Sequence, residues 1–152
     1  MKNNTLTPTQ AILWGGLIAG ALDATDGVVA YGLQGLNPVQ VLQYIASGAL
    51  GAAAFQGGLA AAGLGTLIHF FIAFTVAAIY VVTSRSVGVL RTNAVPAGLA
   101  YGALVFLTMT YLVLPHSAVA PSAFSLGMFL NGIIGHAVFV GLPVAIYARR
   151  VA

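Results

Sequence analysis

Four stretches of the chain, about residues 9–33, 57–83, 95–114 and 123–147, are apolar with few polar interruptions. Each reaches or approaches the roughly 20 residues that an α-helix needs to cross the hydrocarbon core of a bilayer. The pattern therefore predicts four membrane-spanning helices in a single membrane domain, packed as an all-α bundle. The first stretch opens like a secretory signal, with Lys2, an apolar run from Ala11 and a small-residue AGA at 19–21. Its apolar pattern continues to Leu33, however, which reads as a retained membrane helix rather than a cleaved leader.

Between the first two stretches the periodicity changes. In NPVQVLQYIASGAL, Asn37 can cap a helix that starts at Pro38, with Gln40 placed for the reciprocal contact. Gln40, Gln43 and Ser47 share one face of this segment, about 38–50, while Val39, Leu42, Ile45 and Leu50 lie towards the other. It reads as a short uncharged interfacial helix on or dipping into the outer membrane surface, the plainer alternative being a connecting helix packed on the bundle.

Composition agrees with a lipid environment. Of 152 residues, 60% are hydrophobic and 5% charged, and with a mean hydropathy of +1.01 no soluble surface can be built. The formal charge of +3 sets five basic residues, Lys2, Arg85, Arg91, Arg149 and Arg150, against two acidic ones, and the basic residues form no patch for nucleic acid. They precede the first stretch, separate the second from the third, and follow the fourth. This is the positive-inside pattern, with both termini cytoplasmic in a bacterial cytoplasmic membrane. The absence of cysteine excludes disulfides, iron–sulfur clusters, c-type haem and thiol catalysis.

The costly residues are few. Asp23 and Asp26, the only acidic side chains, lie in the first stretch. There an aspartate costs roughly 2.5–3.5 kcal/mol, against a gain of about 0.3–0.6 for each large aliphatic residue. Their neutralisation needs a proton, a histidine or a bound cation. Asp23, His69 and His136 each fall near the midpoint of their stretch, so three helices place ionisable groups at one depth. Small residues accompany them at helical spacing: Gly16, Gly20 and Gly27 with Asp23; Gly58 and Gly65 with His69; Gly132 with His136. With Gly98 and Gly102 in the third stretch, these are the expected helix-packing positions. Tyr101 or Thr108 can join the midplane cluster. Asp26, about 60° round the helix from Asp23, either shares the site or lies nearer the outer surface. His116 reads as a solvated loop residue, and Pro143 as a kink.

Three readings of the cluster stand side by side. It can be a hydrogen-bonded device that orients helices, a proton relay or cation site, or the axial ligands of a b-type haem, with Gly65 and Gly135 leaving room for the ring. No spacing motif supports a metal triad, and no cofactor is expected. A further pattern is internal. HFFIAFTVAAIYVVTSR and HAVFVGLPVAIYARR each place Ala-Ile-Tyr after a histidine, pairing His69 with His136 and Tyr80 with Tyr147. This suggests a duplicated helical hairpin.

In LIHFFIAFTVAAIYVV, in AGLAYGALVFL followed by an outer loop with proline, and in GHAVFV, the chain resembles the small bacterial inner-membrane proteins of the YagU-like group. The resemblance spans roughly the second to fourth stretches. It implies a multi-pass inner-membrane bundle, in a group associated with acid tolerance. That group carries a longer hydrophilic outer segment between its first helices, and Asp23 and Asp26 lie outside the shared pattern.

No hydrolase triad, P-loop or dinucleotide fingerprint is present, and with neither Glu nor Cys an enzyme is not expected. The first functional expectation is a non-catalytic membrane protein acting by assembly, as a homo-oligomer or as an accessory subunit of a larger complex. Its glycine stripes would contact itself or other membrane proteins. The competing expectation is a proton- or cation-linked transporter or channel in which Asp23 carries the proton and the histidines relay it.

Overall fold

The computed structural model describes residues 5–151. Among these, α1 (Pro8–Gly32), α2 (Pro38–Leu50), α3 (Gly58–Ser86), α4 (Val89–Thr92), α5 (Ala94–Thr108), α6 (Leu126–Gly135) and α7 (Leu142–Ala148) are α-helical, with no strand. A π-turn over Met109–Val113 and a short 3-10 turn to His116 extend α5, while a second π-turn, His136–Gly141, joins α6 and α7 into one rod. Four rods, Pro8–Gly32, Gly58–Ser86, Ala94–His116 and Leu126–Ala148, are long and apolar enough to cross a membrane. The chain is an all-helical bundle of four such rods.

Local chemistry sets the boundaries. Before α1, Thr7 Oγ1 accepts from the Gln10 amide at 3.2 Å and Gln10 Oε1 accepts from the Thr7 amide at 3.0 Å. Asn37 and Gln40 repeat this capping box before α2 at 3.0 and 2.9 Å, and a proline follows each cap as the first helical residue. The fourth rod starts at Leu126 rather than about 123, because Ser125 caps it by accepting from the Met128 amide. Each π-turn runs up to a proline, Pro115 or Pro143. A prolyl ring has no N–H and crowds the carbonyl one turn back, and a wider turn relieves both problems. At Pro143 the expected disruption takes this form.

Backbone proximity organises the bundle. α1 packs between α3 and the fourth rod, α5 packs on the fourth rod, and α2 packs on α3. A Cβ at Gly102 would strike the His136 carbonyl oxygen, one at Gly141 the Gly98 carbonyl oxygen, and one at Gly65 the Leu42 carbonyl oxygen. Gly132 accommodates the Phe106 ring, and Gly16 and Gly20 accommodate Phe74 and Phe70. Gly27 and Gly58 depart from the expected packing role, since neither has a neighbour within 4 Å of where a Cβ would stand. Gly58 instead supplies a φ of +54° at the start of α3, a conformation that disfavours a side chain. For Gly27 the reason is the path of α1. Its buried residues, Ala11, Gly15, Gly16, Ala19 and Gly20, all lie in its first half or so, and beyond them the helix loosens.

The largest fully buried side chains lie at the end bearing the arginines. Tyr80, Val81, Ser84 and Val144 are wholly buried there. The Tyr80 hydroxyl donates to the Leu90 carbonyl at 2.9 Å, and the Leu6 amide donates to Arg150 O at 2.8 Å, bringing the two ends of the described chain together. Arg91 reaches Val151 O, and the Arg150 guanidinium lies 5.5 Å from the Tyr147 ring centre. Lys2 lies outside the described residues. At the opposite end α2 serves as a packed connecting helix whose polar face is partly consumed. Gln43 and Ser47 are 5% and 3% exposed. Gln43 Nε2 donates to Gly58 O at 3.0 Å, and the Ser47 hydroxyl donates to Tyr44 O at 2.6 Å. Gln40 stays exposed.

Candidate functional site

Where α1 loosens, Asp23 meets the fourth rod. Its Oδ1 lies 3.5 Å from His136 Nδ1, and the two side chains are 19% and 23% exposed. The same Nδ1 is 3.0 Å from Gly132 O, one turn back on the helix. His69 approaches from α3, its Nε2 2.8 Å from Gly20 O. A carbonyl oxygen only accepts, so His136 Nδ1 and His69 Nε2 carry protons. In the neutral rings His136 Nε2 and His69 Nδ1 are then left as acceptors. Edge-on aromatic neighbours hold both imidazoles, Phe70 against His69 and Phe106 against His136, each with centroids 5.4 Å apart. The three residues singled out by their cost in lipid thus come from three different rods.

They line a cavity of about 350 Å³. Its sides are apolar, formed chiefly by Ile68, Ile72, Val76, Val105, Met109 and Val140. On the side away from the arginines it is bounded by α2, from Tyr44 to Ala49, and by the loop around Ser117 and Val119. The Ala118 amide donates to Gly48 O at 2.9 Å and fastens that loop to α2. Both π-turns contribute to the wall, through Met109 and Val113 on one and His136 and Val140 on the other.

Two expected members of the cluster are elsewhere. The Tyr101 hydroxyl donates to Val76 O at 2.8 Å, with its ring 4.9 Å from that of Tyr80; it ties α5 to α3 on the arginine side of the cavity. Thr108 is exposed and donates to Leu104 O on its own helix at 2.9 Å. In both cases a backbone carbonyl satisfies the hydroxyl without recourse to the cluster. Asp26 is also apart from the cavity. Asn131 Nδ2 donates to its Oδ2 at 2.9 Å, and a Cβ at Gly135 would stand 2.7 Å from that oxygen. Asn131 escapes the sequence reading, although as the only asparagine inside the four rods it carried a usable signal. His116 is exposed, with Nδ1 2.7 Å from Leu112 O.

Among the described residues no three His or Asp side chains are grouped to hold a metal ion. The glycines expected to make room for a haem do not do so: Leu42 O occupies the space beside Gly65, and Asp26 that beside Gly135. Of the paired positions, His69 and His136 both line the cavity and both engage a backbone carbonyl. Tyr80 and Tyr147 differ, the first buried and bonded to Leu90 O, the second beside Arg150.

Fold and composition together define a multi-pass helical membrane protein, with lipid as the solvent of its outer faces. Compared with family models, curated proteins and solved structures, the chain finds no match.

Proposed function

We propose that this bundle is a proton-linked transporter for a small solute, not an enzyme, in a bacterial cytoplasmic membrane, with its arginine-bearing end facing the cytoplasm. The observation that carries the reading is the Asp23–His136 pair at the wall of a partly open cavity between the rods. A carboxylate at this depth requires compensation by a proton, by a cationic histidine or by charge on the solute. Exchange between these states couples the solute to the proton gradient. The resemblance to the YagU-like group supports the inner-membrane location. The placement of Arg85, Arg91, Arg149 and Arg150 supports the orientation. Action purely by assembly, as a homo-oligomer or accessory subunit, has less behind it. Most of the glycines meant to supply intermolecular contacts are filled from within the chain, by Phe74, Phe70, Leu42, His136 and Phe106.

The test is proton movement in proteoliposomes under an imposed pH gradient. Wild type dissipates the gradient, and Asp23→Asn abolishes the flux while keeping its helical content and melting profile. Equal flux in wild type and variant, or none in wild type, would sink the proposal.

A further inference from the structure

We infer that the cavity takes a compact organic ammonium ion, an apolar body bearing one protonated amine, with the N–H donors directed to Asp23. This builds on the transport reading only for its coupling to protons; binding stands apart from it. Among the described residues, Asp23 is the sole carboxylate lining the cavity, and the wall includes no lysine or arginine. His69 and His136 have committed one N–H each to Gly20 O and Gly132 O, so as neutral rings they have acceptors to spare. The Ser117 hydroxyl donates to Leu114 O. Tyr44 from α2 is the remaining titratable group, its ring 5.2 Å from that of Tyr31, and the third rod adds only Val105, Met109, Val113 and Leu114. The few polar groups of an otherwise apolar wall therefore centre on one carboxyl group, that of Asp23, with acceptor nitrogens on the two imidazoles. A solute acid would meet Asp23 with no fixed cation beside it.

Size and surface narrow the class. About 350 Å³ falls at the small end of the ~300–1,000 Å³ typical of organic-ligand sites. A hard metal cation takes about six oxygen ligands, whereas the only carboxylate side chain on this wall, among the described residues, is that of Asp23. The aliphatic remainder of the wall suits a hydrocarbon body. In the coupled step the ammonium approaches a protonated Asp23, the carboxyl O–H bond breaks, its proton leaves to solvent, and the carboxylate pairs with the ammonium. One positive charge replaces another, and the net charge of the site is conserved.

The experiment is calorimetric titration of the full chain in lipid nanodiscs with 1-adamantylamine, its neutral isostere 1-adamantanol and 1-adamantanecarboxylate, after subtracting heats from empty nanodiscs. The amine is expected to bind at least about tenfold more tightly than the alcohol, and the carboxylate not at all. Asp23→Asn lowers amine affinity about tenfold and leaves the alcohol unchanged, which also shows that the variant is folded. Val105→Trp, by filling the cavity, removes both. Equal affinities for amine and alcohol, binding of the carboxylate, full amine affinity in Asp23→Asn, or no binding by any probe overturns the inference. Titration in two buffers of different ionisation heat counts released protons. Amine binding without Asp23-dependent flux in proteoliposomes retains this inference and sinks the transport reading. Flux without amine binding does the reverse.

Discussion

The half of the bundle near the arginines and the half near α2 are made from the same four rods, yet the interior is filled in the first and hollow in the second. Near the arginines, Gly98, Gly102 and Gly141 bring two backbones into contact, and Tyr80, Val81 and Val144 fill the interior. Towards α2, α1 loosens after Gly20, and the space between α1, α3 and the later rods becomes the cavity. Lipid gives no hydrophobic gain for joining two apolar helices, so close packing must come from shape. Small residues at the crossing permit it. At Gly27 a small residue faces no neighbour and brings no helix closer. The compact half is a clamp, and the open half holds the polar chemistry.

Substitution can break this comparison. The largest effect is expected at Gly102→Val, where three added carbons would meet the His136 carbonyl. Loss of folding, or destabilisation by more than about 3 kcal/mol, should appear in thermal melting in detergent. An intermediate effect is expected at Asn131→Ala, which removes the amide donor from Asp26 Oδ2 and leaves a part-buried carboxylate unpaired. A loss of about 1–3 kcal/mol should appear in the same melt. Repeating it with Asp26→Asn in the background should recover part of that loss. The smallest effect is expected at Gly27→Ala. With no neighbour to strike and a better helix former in place, melting should hold or rise by up to about 1 kcal/mol. If Gly27→Ala were as damaging as Gly102→Val, the distinction between a closed and an open half would fail.

What could be read from the chain beforehand follows the same division. The rods are legible because a spanning helix must satisfy its backbone internally over a fixed thickness, which run length records. Gly16, Gly20, Gly65, Gly98, Gly102 and Gly132 are legible because close approach in lipid demands small residues. Gly27 misleads because helical periodicity is blind to whether the neighbouring helix is still there. Asp23, His69 and His136 stand out by their cost. Tyr101 and Thr108 are misassigned because a hydroxyl can satisfy itself on any nearby carbonyl, here those of Val76 and Leu104. The cavity itself is invisible in sequence, since it arises from the divergence of helices and from two π-turns rather than from any residue.

The pairing of the carboxylates also has a consequence in time. Asp26 meets Asn131, 105 positions later in the chain, and Asp23 meets His136 on the same final rod. At ribosomal speeds of ~5–20 residues per second, the first rod waits on the order of 5 to 20 seconds for both partners. Until the last span is made, the nascent protein carries two unmatched acids inside its first, and only the finished chain can accommodate them.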